Sequence, residues 1–396
     1  MLTLLRIRIL LVTLLINWLI LSLPTECQPI KIDLRKLPKK VDVKLSDLGA
    51  IDIRYIPLET SDQSIISRIR KVVFSRSYFL TNNNSTEINM FLYDGSFVSK
   101  IGSEGRGPGE ITTAHDIDIN PQNESIYIVD GWLRKFLVYN KGGKLMRTFK
   151  SPLIGAVQFK ITNDGILCYN ENNAANVENS YNFIDTTGKN IKSFPNRYKW
   201  EKIAKPSLTY PYENIFYRFN NQLLKKEIYC DTAFLFSNKT FKPYLIIDVG
   251  NLRLTPNART TSTANFLAKH FITPMNLFET KEYVFYEFIY AINGKDEEGL
   301  TFISSKKNIS GMLFSSEKGI INDLDGGPNI LPKTIKNDNT FVTWIEALSL
   351  KTYVASDAFK NSTPKYPDKK KELERLANKL KETDNPVLVL VSLKKP

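Results

Sequence analysis

Two sets of apolar positions recur at a fixed interval along this chain. Val73, Ile117 and Ile161, in KVVFS, DIDIN and FKITN, stand 44 residues apart each time. Phe91, Leu137 and Phe183, in MFLYDG, FLVYNKGG and NFIDTTG, stand 46 apart. A repeat of that length commits the chain to units that bury their apolar faces only against their neighbours. Each unit reads as four short strands. In the second copy these are DIDIN, SIYIVD, FLVYN and KLMRTF, with turn signals at Pro121-Gln122-Asn123, Gly131-Trp132 and Lys141-Gly142-Gly143. Four strands in about 40–50 residues make the blade of a β-propeller. The run Ile126-Tyr127-Ile128-Val129 is apolar on both faces, as it must be where blades stack on blades.

Later copies are more degenerate. Residues 211–248 supply a fourth blade, 281–325 a fifth and 338–393 a sixth. The expected fold is therefore all-β, a six-bladed propeller of four-stranded blades. Such a ring must close, because an open sheet edge invites aggregation. AIDIRYIPL (50–58) is a strand without a blade of its own, and PVLVLVSL (386–393) is a strong strand at the C-terminus. The two are expected to pair. Residues 366–383 carry helix signals: Pro367 and Asp368 at the start, Leu373, Leu376 and Leu380 on one face, Asn385-Pro386 beyond the end. One helix is thus inserted near the C-terminus, with its leucines on the last blade. Residues 251–275 are Thr/Asn-rich and read as a long inter-blade loop with a short helix.

Between the first two copies runs IGSEGRGPGE, from Ile101 to Glu110. It is not followed by Lys-Ser/Thr and has no βαβ surround, so it is not a phosphate loop. Its glycines permit positive φ in a tight inter-blade crossing. Arg106 and Glu110 either brace each other or contact a ligand.

With these pieces in hand the chain resembles the six-bladed propeller family of exported proteins from Bacteroides-type bacteria, related to NHL-repeat propellers. The resemblance rests on YIPLET, IGSEGRGPGE, HDIDI…IYIVDG…FLVYNKGGKL, LDGG-PNILP and DNPVLVLVSLK. It implies a six-bladed ring exported from the cytoplasm and no established catalytic residues. In NHL-like propeller enzymes the position before an innermost strand can carry a metal ligand, which here would be His115-Asp116. Two tripeptides, Asp185-Thr186-Thr187 and Asp231-Thr232-Ala233, match what that lineage uses for O-glycosylation, at Thr186 and Thr232.

The N-terminus points to export independently. Arg6 and Arg8 precede an uncharged run from Ile9 to Leu23, of the length of a signal-peptide core and short for a spanning helix. The expected organisation is a signal peptide over 1–26, a linker over 27–49 and the propeller over 50–396. Cys27 is a candidate lipidation site, although Thr25-Glu26 departs from the small residues a lipobox wants. Membrane association then runs only through this N-terminus, either lipidated or uncleaved. The compartment is the periplasm or the outer membrane, with secretion as the alternative.

The net charge of +13 suits an acidic glycan or an anionic membrane surface, or else lysines solvated on blade edges. Spread basic residues and export argue against nucleic acid. Cys168 and Cys230 lie in strand-like runs and read as buried hydrophobes. No Cys/His spacing resembles a zinc site. No Gly-x-Ser-x-Gly elbow is present. Asp323-Leu324-Asp325-Gly326-Gly327 lacks the rest of an EF-hand loop and reads as an Asx-rich turn.

The function these observations support is a non-catalytic binding module without a cofactor. It would present a propeller face to a glycan, a peptide or an envelope protein, with Arg106, Glu110 and His115 as ligand-binding candidates. The alternative is a metal-dependent lyase or hydrolase at the channel mouth. Its catalytic candidates are His115, Asp116 and Glu110, with calcium or zinc as cofactor. Two histidines in the whole chain cannot supply three nitrogen ligands, so such a site would have to recruit carboxylates.

Overall fold

The computed structural model describes residues 28–84, 86–151, 157–203, 209–294, 296–308 and 310–394, without the side chains of residues 157 and 293. The signal peptide over 1–26 and Cys27 lie outside the described residues.

Six four-stranded antiparallel sheets form the ring: blade 1 (71–100), blade 2 (116–150), blade 3 (157–195), blade 4 (214–248), blade 5 (273–315) and blade 6. In the first five blades the strands follow in order from the axis outward. The innermost strands of blades 1 and 2, 2 and 3, 4 and 5, and 5 and 6 touch around the axis. Blade 2 contains Asp116–Ile119, Ile126–Asp130, Lys135–Tyr139 and Leu145–Lys150, as the repeat predicted. Val73, Ile117 and Ile161 all fall on innermost strands, and Phe91, Leu137 and Phe183 all fall on third strands.

Blade 6 closes the ring. Thr334–Asn337 and Thr340–Ile345 are followed by the C-terminal strand Val387–Leu393, and the N-terminal strand Ala50–Pro57 pairs with its far side. The register runs from Ala50↔Leu393 to Pro57↔Val387. Six apolar clusters lie between blades. Ile117, Ile128 and Leu137 join Leu80 and Met90 between blades 1 and 2. Leu388 and Leu390 join Val72, Phe79 and Phe91 between blades 6 and 1.

Two elements differ from their expected limits. The innermost strand of blade 5 is Thr273–Glu279, part of which read as loop because Pro274 and the polar Thr/Asn run before it mask the strand pattern. The innermost strand of blade 6 is Thr334–Asn337, four residues with no fully buried side chain and hence little apolar signature.

Residues 30–48, read as a linker, lie along the ring. Ile30–Asp33 adds a fifth, parallel strand to the outer edge of blade 4. Lys40 then bridges to Leu313 of blade 5, and Lys44 to Ile321. Ile32, Leu34, Val43 and Leu45 are buried along this strap.

The two faces of the ring are unequal. On one, each blade's first strand starts and its second ends. That face carries the connections 58–70, 101–115, 249–272 and 316–333, the segments 196–203 and 209–213, and the helical insert 346–386. On the other, no connection exceeds the six residues of 120–125.

The 249–272 loop holds two short helices, α1 (Pro256–Thr261) and α2 (Ala264–His270), N-capped by the side chains of Thr255 and Thr263. The insert holds α3 (Ala347–Ala355), α4 (Asp357–Lys360) and α5 (Pro367–Lys379). The predicted helix is α5, and α3 and α4 accompany it. Leu373 and Leu380 are buried and Leu376 partly so, packed with Leu350, Phe359 and Val387. Among the described residues no helix is long and apolar enough to cross a membrane.

Candidate functional site

The innermost strand of each blade presents an edge to the channel, with N–H and C=O groups that no further strand can pair. Charged side chains take that place around blades 1 to 4. Asp116 and Asp118 lie two apart on one strand and therefore share a face. Asp116 accepts from the Phe159 N–H at 3.0 Å and Asp118 from the Ile161 N–H at 2.8 Å. Cations cap the carbonyls. Lys71 donates to the Ile117 oxygen at 3.1 Å, Lys160 to the Phe159 oxygen at 2.9 Å and Arg218 to the Ile161 oxygen at 2.6 Å.

The same cations neutralise the same carboxylates. Lys71 and Lys160 bind Asp116, the latter at 3.5 Å, and Arg218 binds Asp118 at 3.0 Å. Burial works to raise the Asp116 carboxyl, but Lys160, Lys71 and the Phe159 N–H hold it below the usual carboxylate range. Asp116 is thus an ionised edge cap whose lone pairs are already committed. Those contacts with Lys71, Lys160 and the Phe159 N–H tie blades 1, 2 and 3 together at the channel wall.

Two groups at the loop-face end of this wall titrate near neutrality. Burial pushes Lys160 down to about 8, opposed by Asp116. Burial, with the neighbouring charges of Glu213 and Asp116, raises Glu171 to about 7. The folded chain therefore holds the Glu171 proton through a window where the unfolded chain, titrating near the ordinary 4.5, has lost it. Stability falls as pH rises from about 4.5 to 7. Allowing for partial exposure, ionised Glu171 costs about 1–3 kcal/mol above that window. Glu171→Gln is expected to recover that amount at pH 8 and to change nothing at pH 4.5. Urea unfolding at the two pH values measures it, and identical pH slopes for both proteins would remove the assignment.

His115 stands where the sequence placed it, just before the innermost strand of blade 2. Its Nδ1 accepts the Gly131 N–H at 3.0 Å, and its ring meets Trp132 edge-on at 5.5 Å between centroids. Burial lowers its pKa, and Nδ1 also lies 3.2 Å from the Thr113 carbonyl oxygen, so this nitrogen is enclosed by two nearby backbone groups. Glu110 lies elsewhere. Its carboxylate accepts the Gly107 N–H at 2.7 Å, and Lys135 of the third strand of blade 2 holds the Gly107 oxygen at 3.0 Å.

The connector is a tight crossing, as read. Gly105 has φ +150°, and a Cβ there would collide with the Glu110 carboxylate. Arg106 is exposed, and among the described residues no ion pair joins it to Glu110. No hydrogen bond or ion pair links His115, Asp116 and Glu110, and no three His, Cys, Asp or Glu gather at metal-binding distance among the described residues. The Asp323 and Asp325 carboxylates are taken by protein donors: Ser46 for Asp323, and Asn322, Tyr55 and the Gly327 N–H for Asp325. Cys168 is buried, Cys230 half-buried, and both are free thiols. Thr186 is exposed at a turn on the plain face, whereas Thr232 begins the third strand of blade 4 and is half-buried.

Sequence reasoning missed the residue that ties the loop face together. Arg259 of α1 is buried against Glu213 and hydrogen-bonds the Tyr229 hydroxyl at 2.5 Å and Asn173 Oδ1 at 2.9 Å. Its guanidinium lies 4.0 Å from the Trp200 ring centroid and 5.0 Å from that of Tyr210. Glu213 also accepts the Asn172 N–H at 2.5 Å. The segments 171–178, 196–203, 209–213 and 249–272 are joined through one cation. An arginine in a Thr/Asn-rich loop gives no periodic signal from which this could be read.

Above that framework the loop face exposes apolar side chains from separate segments: Ile65, Trp132, Ile203, Tyr212, Phe266 and Leu348. Trp132 is 68% exposed, beside His115. The short turns of the plain face show no comparable set; the other exposed large apolar residues lie mainly on outer strands and the strap.

A closed ring of six four-stranded blades, with one elaborated face and an ion-paired channel, defines a six-bladed β-propeller. Residues 29–392 match the family described as Domain of unknown function (DUF4934), and the chain belongs to that family. Among solved structures, an exported protein from Bacteroides fragilis is 15% identical, with a TM-score of 0.68 over 93% of this chain and 100% of that one. A member of the DUF4221 family from Bacteroides vulgatus is 12% identical, with a TM-score of 0.52 over 90% and 99%. A virginiamycin B lyase from Staphylococcus aureus reaches a TM-score of only 0.38 at 12% identity, over 86% and 99%, too distant to bear on activity. No curated protein matches the sequence.

Proposed function

We propose that this chain is an exported binding module that presents its loop face to a glycan, peptide or protein partner at the cell envelope. The observation that carries the reading is that separate segments each set an exposed apolar side chain on the face that bears the long loops. Single exposed apolar residues are ordinary on any surface, but a set gathered from separate loops on one face of a rigid ring marks an interaction site. The Arg259 hub supports this by holding the segments that carry Ile203, Tyr212 and Phe266 in fixed relation, so that less ordering is left to be done on binding. The N-terminal sequence supports export, with Cys27 as the point of attachment if it is lipidated.

The test compares two triple variants in capture from a solubilised envelope fraction. Trp132→Ser/Phe266→Ser/Leu348→Ser alters the loop face, and Ile51→Ser/Val98→Ser/Met146→Ser alters the outer rim. The partner held by the unmodified chain is expected to fall at least tenfold with the first variant and to stay with the second. Equal capture by both would remove the loop face from the function. The metal-dependent alternative has no ligand set among the described residues on which to build a test.

A further inference from the structure

A cleft of about 340 Å³ opens between blades 3 and 4, on the outer half of the ring. That volume is in the range of small-molecule sites. It is lined by the third and fourth strands of blade 3 and by the second to fourth strands of blade 4, away from the channel. We propose that it is a binding site for a sugar ring bearing a carboxylate.

The floor is a buried ion pair. Lys225 and Glu227 stand two apart on one strand and bind each other, both almost fully buried. The Lys225 ammonium also lies 4.7 Å from the ring centroids of Tyr181 and Phe234, and 4.9 Å from that of Phe241. Its charge is therefore met from all sides before any ligand arrives. The rim is different. Lys192 and Arg197 are exposed and have no ion pair among the described residues. Glu227 is the one carboxylate among the lining residues, and Lys225 already holds it. Lys192 donates to the Lys239 carbonyl oxygen at 2.8 Å and lies 5.2 Å from the Phe194 ring centroid, and Arg197 stands beyond the end of the same strand. The rim thus carries positive charge without a counter-charge, which suits an anionic ligand.

The walls select the body of the ligand. The Tyr181 and Phe241 rings cross at 59° and those of Phe194 and Phe241 at 53°, so the cleft offers no parallel slot for a flat aromatic acid. Tyr181 is buried behind the cleft, and the half-buried faces of Phe194, Phe234 and Phe241 are those that suit the C–H faces of a pyranose. Hydroxyl partners flank them. Ser193 Oγ accepts from Asn182 at 3.0 Å and Asn190 at 2.9 Å, which leaves its own proton to donate. Ser180 donates to Asn196 Oδ1 at 3.3 Å, which leaves its oxygen to accept. One donor and one acceptor match the paired hydroxyls of a sugar.

Isothermal titration of the full chain with trigalacturonate, its fully methyl-esterified form and benzoate tests the assignment. Trigalacturonate is expected to bind, and the uncharged ester at least tenfold more weakly. Lys192→Ala/Arg197→Ala, at two exposed positions, is expected to weaken trigalacturonate at least tenfold with an unchanged melting temperature. That pair keeps the test independent of Lys225→Met, which unfolds the site if it leaves Glu227 buried alone. No binding of trigalacturonate, equal affinity for the ester, tighter binding of benzoate, or full affinity in the double variant would each overturn the proposal. None of these outcomes touches the loop-face residues, so the loop-face reading stands or falls separately.

Discussion

Arg259→Met is expected to cost about 3–5 kcal/mol of folding free energy, the typical result of removing one partner from a buried ion pair. The cost arises mainly from the partner left behind. Glu213 is 1% exposed and cannot turn to water, so its carboxylate must stay ionised without its cation or take up a proton. Lost contacts to Trp200, Tyr210, Tyr229 and Asn173 add to it. Denaturant unfolding measures the loss, with a melting temperature lower by on the order of 5–10 °C. Glu213→Leu in the same chain is expected to restore most of the difference, because replacing both members of a buried pair by apolar groups is often neutral. A loss under about 1 kcal/mol in the single variant would show that the hub does not hold the loops.

A chain stopped after Asn385 is expected to show no cooperative unfolding transition at all. The missing strand is central in blade 6, paired with Thr340–Ile345 on one side and Ala50–Pro57 on the other. Val387, Leu388, Val389, Leu390, Val391 and Leu393 are all buried. At about 1.5–3 kcal/mol for each buried aliphatic side chain, the loss matches or exceeds a typical net stability of about 5–15 kcal/mol. Both clusters that border blade 6 would open, and Ala50–Pro57 would be left as a bare edge. Deleting residues 28–34 instead removes only the fifth strand of blade 4 and is expected to leave a cooperative, less stable ring. Calorimetry separates the two, and a sharp transition in the C-terminal deletion would show that closure does not govern stability.

The ring was legible where turns are short. Blades 1 to 3 keep their spacing because hairpins such as Lys141-Gly142-Gly143 add few residues between strands. Blades 5 and 6 lost it because the 249–272 and 346–386 segments carry helices that no repeat period anticipates. The closing pair was legible for a different reason. A strand buried on both faces, VLVLVSL, at the end of a repeat array has only one place to go.

The site was less legible. His115 stands just before the innermost strand of blade 2 and Asp116 on it, but the partners of Asp116 and Asp118 come from other blades. Phe159 and Ile161 lend backbone N–H groups, and a sequence gives no sign of which edge a carboxylate will cap. Lys225 and Glu227 carry no sequence signal at all, because nothing local distinguishes a solvated lysine from one enclosed by Tyr181, Phe234 and Phe241 from two blades.

The pairing of Ala50 with Leu393 also sets when this protein can fold. Contacts between residues so distant in sequence are slow to form, since the loop between them must be closed before they give anything back. Here the delay is built into the order of synthesis, because the centre of blade 6 is made after all five other blades. Until those residues arrive, the first strand of the ring has no partner and the first and last blades cannot meet. Such a ring stays open until Val387–Leu393 has been made, and an open chain is one that can still be threaded through a narrow pore.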